Sequence, residues 1–187
     1  MNSKGHLIIL SGPSGVGKGT VRKALMEDAS LHLYYSVSMT TRHPRPGEVD
    51  GREYYFVTPE EFQRNIDSGN LLEWAEFVGN RYGTPKDKVD AMLESGKNVL
   101  LEIEVNGTLT VLQKVPEAIS IYLIPPSFDA LESRIRGRST ESEEVIQERL
   151  QKARREMEMK GHYRHLVLND DVNRAAKEIA EIIHRAA

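Results

Sequence analysis

The chain has no cysteine, and that one absence removes disulfide staples, thiolate nucleophiles and cysteine-ligated zinc. It also has no excess of positive charge. Its 25 Lys and Arg stand against 28 Asp and Glu, a formal net charge of −3, so no broad basic surface for nucleic acid is expected and any anion it binds is small. No apolar run approaches the roughly 20 residues that cross a bilayer; the run near the N-terminus covers only residues 7–10. No membrane association is therefore expected, and a soluble, cytoplasmic protein is. The six histidines, His6, His32, His43, His162, His165 and His184, show no metal-ligand spacing and read as surface or turn residues. Repeats, low-complexity tracts and linkers are missing too, and 187 residues suit one domain with inserted lobes.

What is present begins with "HLIIL", a short apolar run suited to a buried parallel strand, followed by "SGPSGVGKGT". Val21, Ala24, Leu25 and Asp28 then recur at helical spacing, so the glycine loop joins a strand to a helix. Strands are expected again at 98–105, 118–124 and 165–169, with helical patterns between them and at 172–186. This alternation predicts an α/β domain with a central parallel sheet. Two segments break the rhythm. The first, 36–86, mixes a Pro/Gly/Arg loop with the strand-like "YYFV" and "LLEWAEFV" and reads as an inserted small lobe. In it a short helix is signalled by a capping box at Thr58 and Glu61, with Pro59 in the first turn. The second, 130–157, is dense in charge, with a further capping box expected at Thr140 and Glu143.

The loop follows G-x-x-x-x-G-K from Gly12 to Lys18, so that backbone N–H groups and a helix N-terminus converge on one point while Lys18 adds a charge for the β and γ phosphates. A nucleoside triphosphate is the expected ligand. The usual next residue is a Ser or Thr whose hydroxyl holds Mg²⁺. Here Gly19 takes its place and Thr20 comes one residue late. Other oxygens are sought at "LEIEV", where Glu102 and Glu104, two apart on an expected strand, would share a face near its carboxyl end. They read either as a solvated rim or as groups facing Mg²⁺ or a substrate.

The stretches "SGPSGVGKGT", "SVSMTTRHPRPGEVDGREYYFV", "LLEWAEFVGNRYGTP", "LEIEVNG", "RIRGRSTES" with "ERLQKA", and "VLND" together resemble guanylate kinases over nearly the whole chain. The resemblance implies transfer of the γ-phosphoryl of ATP to GMP, in purine nucleotide metabolism, with Mg²⁺. It implies a phosphate-loop three-layer fold with core segments 1–35, 87–129 and 158–187, a GMP-binding α+β lobe at 36–86 and a helical lid at 130–157. By resemblance, ATP is bound by Gly12, Pro13, Ser14, Gly15, Val16, Gly17, Lys18, Gly19 and Thr20, with Asn169 near the adenine. Arg42, Arg45, Tyr54 and Tyr82 would hold the GMP phosphate, and Ser38, Glu73 and Thr84 would read guanine, with Glu102 or Glu104 assisting. Lys18, Arg42, Arg134, Arg138 and Arg149 would stabilise the transferring phosphoryl. Thr20 and Glu102 are the metal candidates, directly or through water.

The chemistry of these residue types agrees. Guanidinium forks match phosphate oxygens, and a carboxylate accepts from the adjacent N1–H and 2-amino donors that guanine has and adenine lacks. Where the family commonly carries aspartates and serine, this chain has Glu102, Glu104 and Gly19. A peptide-binding scaffold of the same fold, or a kinase for AMP or a sugar phosphate, are the rival readings. Lys18 speaks against the first and Glu73 with Ser38 and Thr84 against the second. Monomer and homodimer both remain open.

Overall fold

The computed structural model describes residues 4–137 and 140–186. Its elements run β1 (Leu7–Ser11), α1 (Lys18–Met26), β2 (Leu33–Tyr35), β3 (Ser38–Thr40), β4 (Tyr54–Phe56), α2 (Pro59–Asp67), β5 (Leu71–Phe77) and β6 (Asn80–Pro85). They continue with α3 (Lys86–Glu94), β7 (Asn98–Glu102), α4 (Val105–Lys114), β8 (Ile119–Ile124), α5 (Phe128–Gly137), α6 (Glu143–Glu158), β9 (His165–Leu168) and α7 (Val172–Ala186).

Five strands form a wholly parallel sheet in the order β2-β7-β1-β8-β9. Every residue of β1 is buried, as the apolar run requires of a central strand covered on both faces. Its side chains alternate between two helix layers. Ile8 and Leu10 pack with Val21 and Leu25 of α1, Leu131 and Ile135 of α5, Ile146 and Leu150 of α6, and Ile179 and Ile183 of α7. Leu7 and Ile9 pack the other way, with Val89 and Leu93 of α3 and Val111 of α4. The result is the expected three-layer α/β fold.

A second, mixed sheet in the order β4-β3-β6-β5 is built from the inserted segment, with its own small core of Met39, Phe62 and Leu71. Thr58 caps α2 as its sequence signals, its hydroxyl accepting the N–H of Glu61, and Pro59 opens the helix.

Two sequence expectations are corrected. The strand expected at 98–105 ends at Glu102. The chain then turns, Glu104 becomes the residue preceding α4, and its carbonyl accepts the N–H of Thr108 to close the first helical turn. Glu102 and Glu104 therefore do not share one strand face. The apolar alternation continued past the point where β1, the neighbour that supplies the ladder, also ends. The second correction concerns α6, which is capped by Ser142 and not by Thr140. Glu143 is thus the first helical residue, and its carboxylate takes a bidentate pair from Arg136 at 2.7 and 3.0 Å, tying α5 to α6.

Candidate active site

The turn from β1 into α1 is made by Gly12, Gly15 and Gly17, with φ of 152°, 83° and 98°. The last two lie in the left-handed region that glycine alone enters without strain. Gly17 also needs its bareness, because a Cβ there would stand 3.0 Å from Asn169 Nδ2. Val16 is buried, and its carbonyl accepts from Asn169 Nδ2 at 2.8 Å and from Arg134 Nη1 at 3.0 Å. Asn169 is itself buried, and its Oδ1 has no hydrogen-bond partner among the described residues. Lys18 Nζ folds back onto the loop and donates to the carbonyls of Gly12, at 2.9 Å, and Pro13, at 3.3 Å. Burial holds its pKa below the usual lysine range, against the opposing pull of Glu156, Glu102 and Glu104.

Segment 130–157 reaches this loop. Arg134 comes from α5, and Arg149 of α6 lies with Nη2 3.5 Å from Ser14 Oγ while Nη1 pairs with Glu141 at 2.9 Å. Arg138 lies outside the described residues. Glu156, buried at the end of α6, accepts the backbone N–H of Ser14 at 3.1 Å. No local pattern pointed to Glu156, because its partner is 142 residues away in the chain.

A groove of about 350 Å³ opens over the loop and is bounded by Lys18, Gly19, Thr20, Arg22 and Glu102. Glu102 reaches it because β7 runs beside β1 with Glu102 opposite Leu10, one residue before β1 ends and the loop begins. The Glu102 carboxylate is 2.8 Å from Arg22 Nε, in an ion pair whose N–H is not aligned for a hydrogen bond, and the Arg22 guanidinium lies 4.4 Å over the Tyr35 ring. Arg22 was missed in the sequence, although its place one turn after Lys18 puts it on the same side of α1. A side chain at Gly19 would meet Arg22 and Glu102 only at ordinary contact distance, 3.9 Å.

A larger cleft of about 870 Å³ lies between the two sheets and shares Arg22 and Glu102 with the groove. Ser38, Tyr54, Glu73, Tyr82 and Glu104 line it. Within it, Glu73 Oε1 accepts from Thr84 Oγ1 at 2.7 Å, and burial raises the Glu73 pKa above the ordinary carboxylate range. Glu104 is drawn to the other rim, where Lys152 of α6 holds both its oxygens at 3.0 Å. Arg42 lies 5.3 Å from the Tyr54 ring, which meets the Tyr82 ring edge-on at 5.9 Å. Its fork is filled by Glu48, at 3.0 and 2.9 Å, and Glu48 also accepts the Arg45 backbone N–H at 2.8 Å. Sequence reasoning did not single out Glu48. A separate depression of about 650 Å³ on the lobe, near Gln63, Arg64 and Arg81, holds none of the candidate residues.

A family model described as guanylate kinase matches residues 4–186. The chain belongs to the guanylate kinase family. Guanylate kinases of Mycoplasma mycoides, Latilactobacillus sakei and Oceanobacillus iheyensis are 52, 50 and 52% identical to it over 97, 98 and 98% of its length. It spans 61% of the first of these relatives and 90 and 88% of the other two. The crystal structure of the guanylate kinase from Anaplasma phagocytophilum superposes with a TM-score of 0.76 at 32% identity, covering 99% of this chain and 87% of that one. Among the described residues, this family member has no helix long and apolar enough to cross a membrane and no cluster of three or more His, Asp or Glu that could hold a metal alone.

Proposed function

We propose that this chain is an ATP:GMP phosphotransferase, a nucleoside monophosphate kinase that makes ADP and GDP. The observation that carries the reading is the meeting of two clefts at one ion pair. One opens over a phosphate loop and the other contains the half-buried Glu73 carboxylate, and Arg22 and Glu102 belong to both.

The loop backbone and Lys18 would take the β and γ phosphates of ATP, Lys18 exchanging the Gly12 and Pro13 carbonyls for phosphate oxygens. Glu73 would accept N1–H and the 2-amino group of guanine, with Ser38 and Thr84 beside it. Arg42, Arg45, Tyr54 and Tyr82 would hold the GMP phosphate. A GMP phosphate oxygen attacks the γ-phosphorus in line, the bond to the β–γ bridging oxygen breaks, and ADP leaves. Charge developing on the transferred group is met by Lys18 and by arginines of segment 130–157, of which Arg134 and Arg149 already touch the loop. Asn169, beside Gly17, would stand near the adenine.

Mg²⁺ suits this donor set only as a nucleotide-borne ion. Thr20 and Glu102 are the oxygen-bearing side chains on the groove, and Arg22 already engages Glu102. Magnesium is commonly held by one or two carboxylates, water and substrate phosphates, and when bound it neutralises phosphate charge. Glu104, pinned by Lys152, fits this role less well than Glu102.

The test is ADP release from ATP with Mg²⁺ in the presence of GMP, AMP or no acceptor, beside Glu73→Gln. GMP-dependent turnover that falls at least about 10²-fold in the variant supports the reading, since a site built on such hydrogen bonds discriminates by up to about 10⁴ to 10⁵. ATP binding with no response to GMP would refute the acceptor.

A further inference from the structure

Gly107 is the third residue of α4. Its backbone is ordinary helix, with no positive φ, so chain conformation does not call for glycine there. Glycine is also the weakest helix former after proline. The neighbourhood supplies a different reason. A Cβ at position 107 would stand 3.0 Å from Glu73 Oε2, 3.4 Å from Cδ and 3.5 Å from Cγ, and no other residue supplies any of these three nearest atoms. Helix α4 thus presses bare backbone against one edge of the Glu73 carboxylate while Thr84 Oγ1 donates to the other at 2.7 Å. Gly107 and Glu73 both line the larger cleft.

We infer that Gly107 is a positioning residue for purine selection: by lacking a side chain it lets the Glu73 carboxylate seat flat between α4 and Thr84, in the plane from which it can accept two adjacent donors of a base. The inference rests on the assignment of Glu73 to guanine. A methyl group at 107 moves the carboxylate by a few tenths of an ångström or turns its plane. Two parallel hydrogen bonds to a rigid base tolerate such a turn poorly, whereas the phosphate loop, reached through other elements, is unaffected.

The experiment compares Gly107→Ala, Glu73→Asp, the double variant and Glu73→Gln in the full chain, measuring KM for GMP and for ATP, kcat, and Tm. Gly107→Ala is expected to raise KM for GMP about tenfold, below the roughly 10²-fold that a 1 Å misplacement can cost, with KM for ATP unchanged. In the Glu73→Asp background, where the carboxylate is one methylene shorter and withdraws from the methyl, the same change is expected to cost no more than about twofold, a non-additivity that marks direct contact.

Equal cost in both backgrounds, or unchanged KM for GMP in Gly107→Ala while Glu73→Gln loses GMP, overturns the inference and leaves the guanine reading standing. Unchanged GMP affinity in Glu73→Gln removes that reading and the inference together. Should Gly107→Ala fail to fold, restoration of folding by Glu73→Asp supports the contact, and failure to restore it overturns it.

Discussion

Glu73 carries a cost that its position explains. Burial disfavours its ionised form, so the folded chain binds that proton more tightly than the unfolded chain does. Stability therefore falls as pH rises from the ordinary carboxylate range through the raised folded value, and the whole penalty is present above it. Glu73→Gln, which keeps an acceptor for Thr84, is expected to melt no lower than the parent at pH 7 while losing GMP binding, and the stability difference should vanish in acid. Thermal melts across pH check this. A lower Tm at neutral pH would show that the Thr84 hydroxyl and the Lys114 charge together outweigh the burial of the carboxylate. On the proposed reading GMP needs the carboxylate, so kcat/KM for GMP should fall on the acid side at a pH above the ordinary glutamate value, a limb absent from Glu73→Gln.

Arg42 is the second residue whose state before ligand binding matters. Glu48 occupies its fork, and Arg42 holds the Glu48 carboxyl below its usual range. A phosphate arriving there has to share or displace a carboxylate. Glu48→Gln is expected to tighten binding of GMP by several-fold, measured calorimetrically, because the competing charge is gone while the loop contact to Arg45 N–H can persist. Weaker binding would mean that Glu48 serves to orient Arg42.

At the scale of elements, α6 matters beyond its charged face. Ile146, Leu150 and Ala153 sit in the main core, while Glu156 at its end accepts from the phosphate loop. Hydrogen bonds to charged groups contribute about 1.5–3 kcal/mol, and 1 kcal/mol moves Tm by about 2–4 °C in chains of this size. Glu156→Ala should thus lower Tm by about 3–12 °C and weaken ATP binding, with Glu156→Gln between it and the parent. An ATP affinity untouched by Glu156→Ala would separate the contact from the loop's function.

This element also shows what a sequence can convey. The strand, loop and helix around Lys18 were legible because one contiguous stretch builds them, and the Thr58 cap was legible for the same reason. Glu102 and Glu104 looked alike because alternation continues through Ile103, and only the end of the neighbouring strand separates them. Ser142 was passed over for Thr140 because two hydroxyls stood within reach of the helix start. Arg22, Glu48 and Glu156 gained meaning only from partners that folding brings near, and Gly107 from a side chain it does not have.

For the whole molecule, the three-layer core and the mixed-sheet lobe form a cleft whose walls come from both, so ligand binding should register as global stability. GMP at about a hundred times its Kd adds about 2.7 kcal/mol to the folded state, or about 5–11 °C in Tm at this chain length. AMP at the same concentration should give little. Equal shifts from the two would remove the base-reading role of Glu73.

Arg22 and Glu102 stand on both clefts and are joined to each other. A common wall makes the two binding equilibria inseparable. Whatever factor a bound donor nucleotide applies to acceptor affinity, the acceptor must return in full to the donor. A nonhydrolysable donor analogue titrated with and without GMP should therefore give the same ratio as GMP titrated with and without the analogue, and Arg22→Ala should move that ratio toward one.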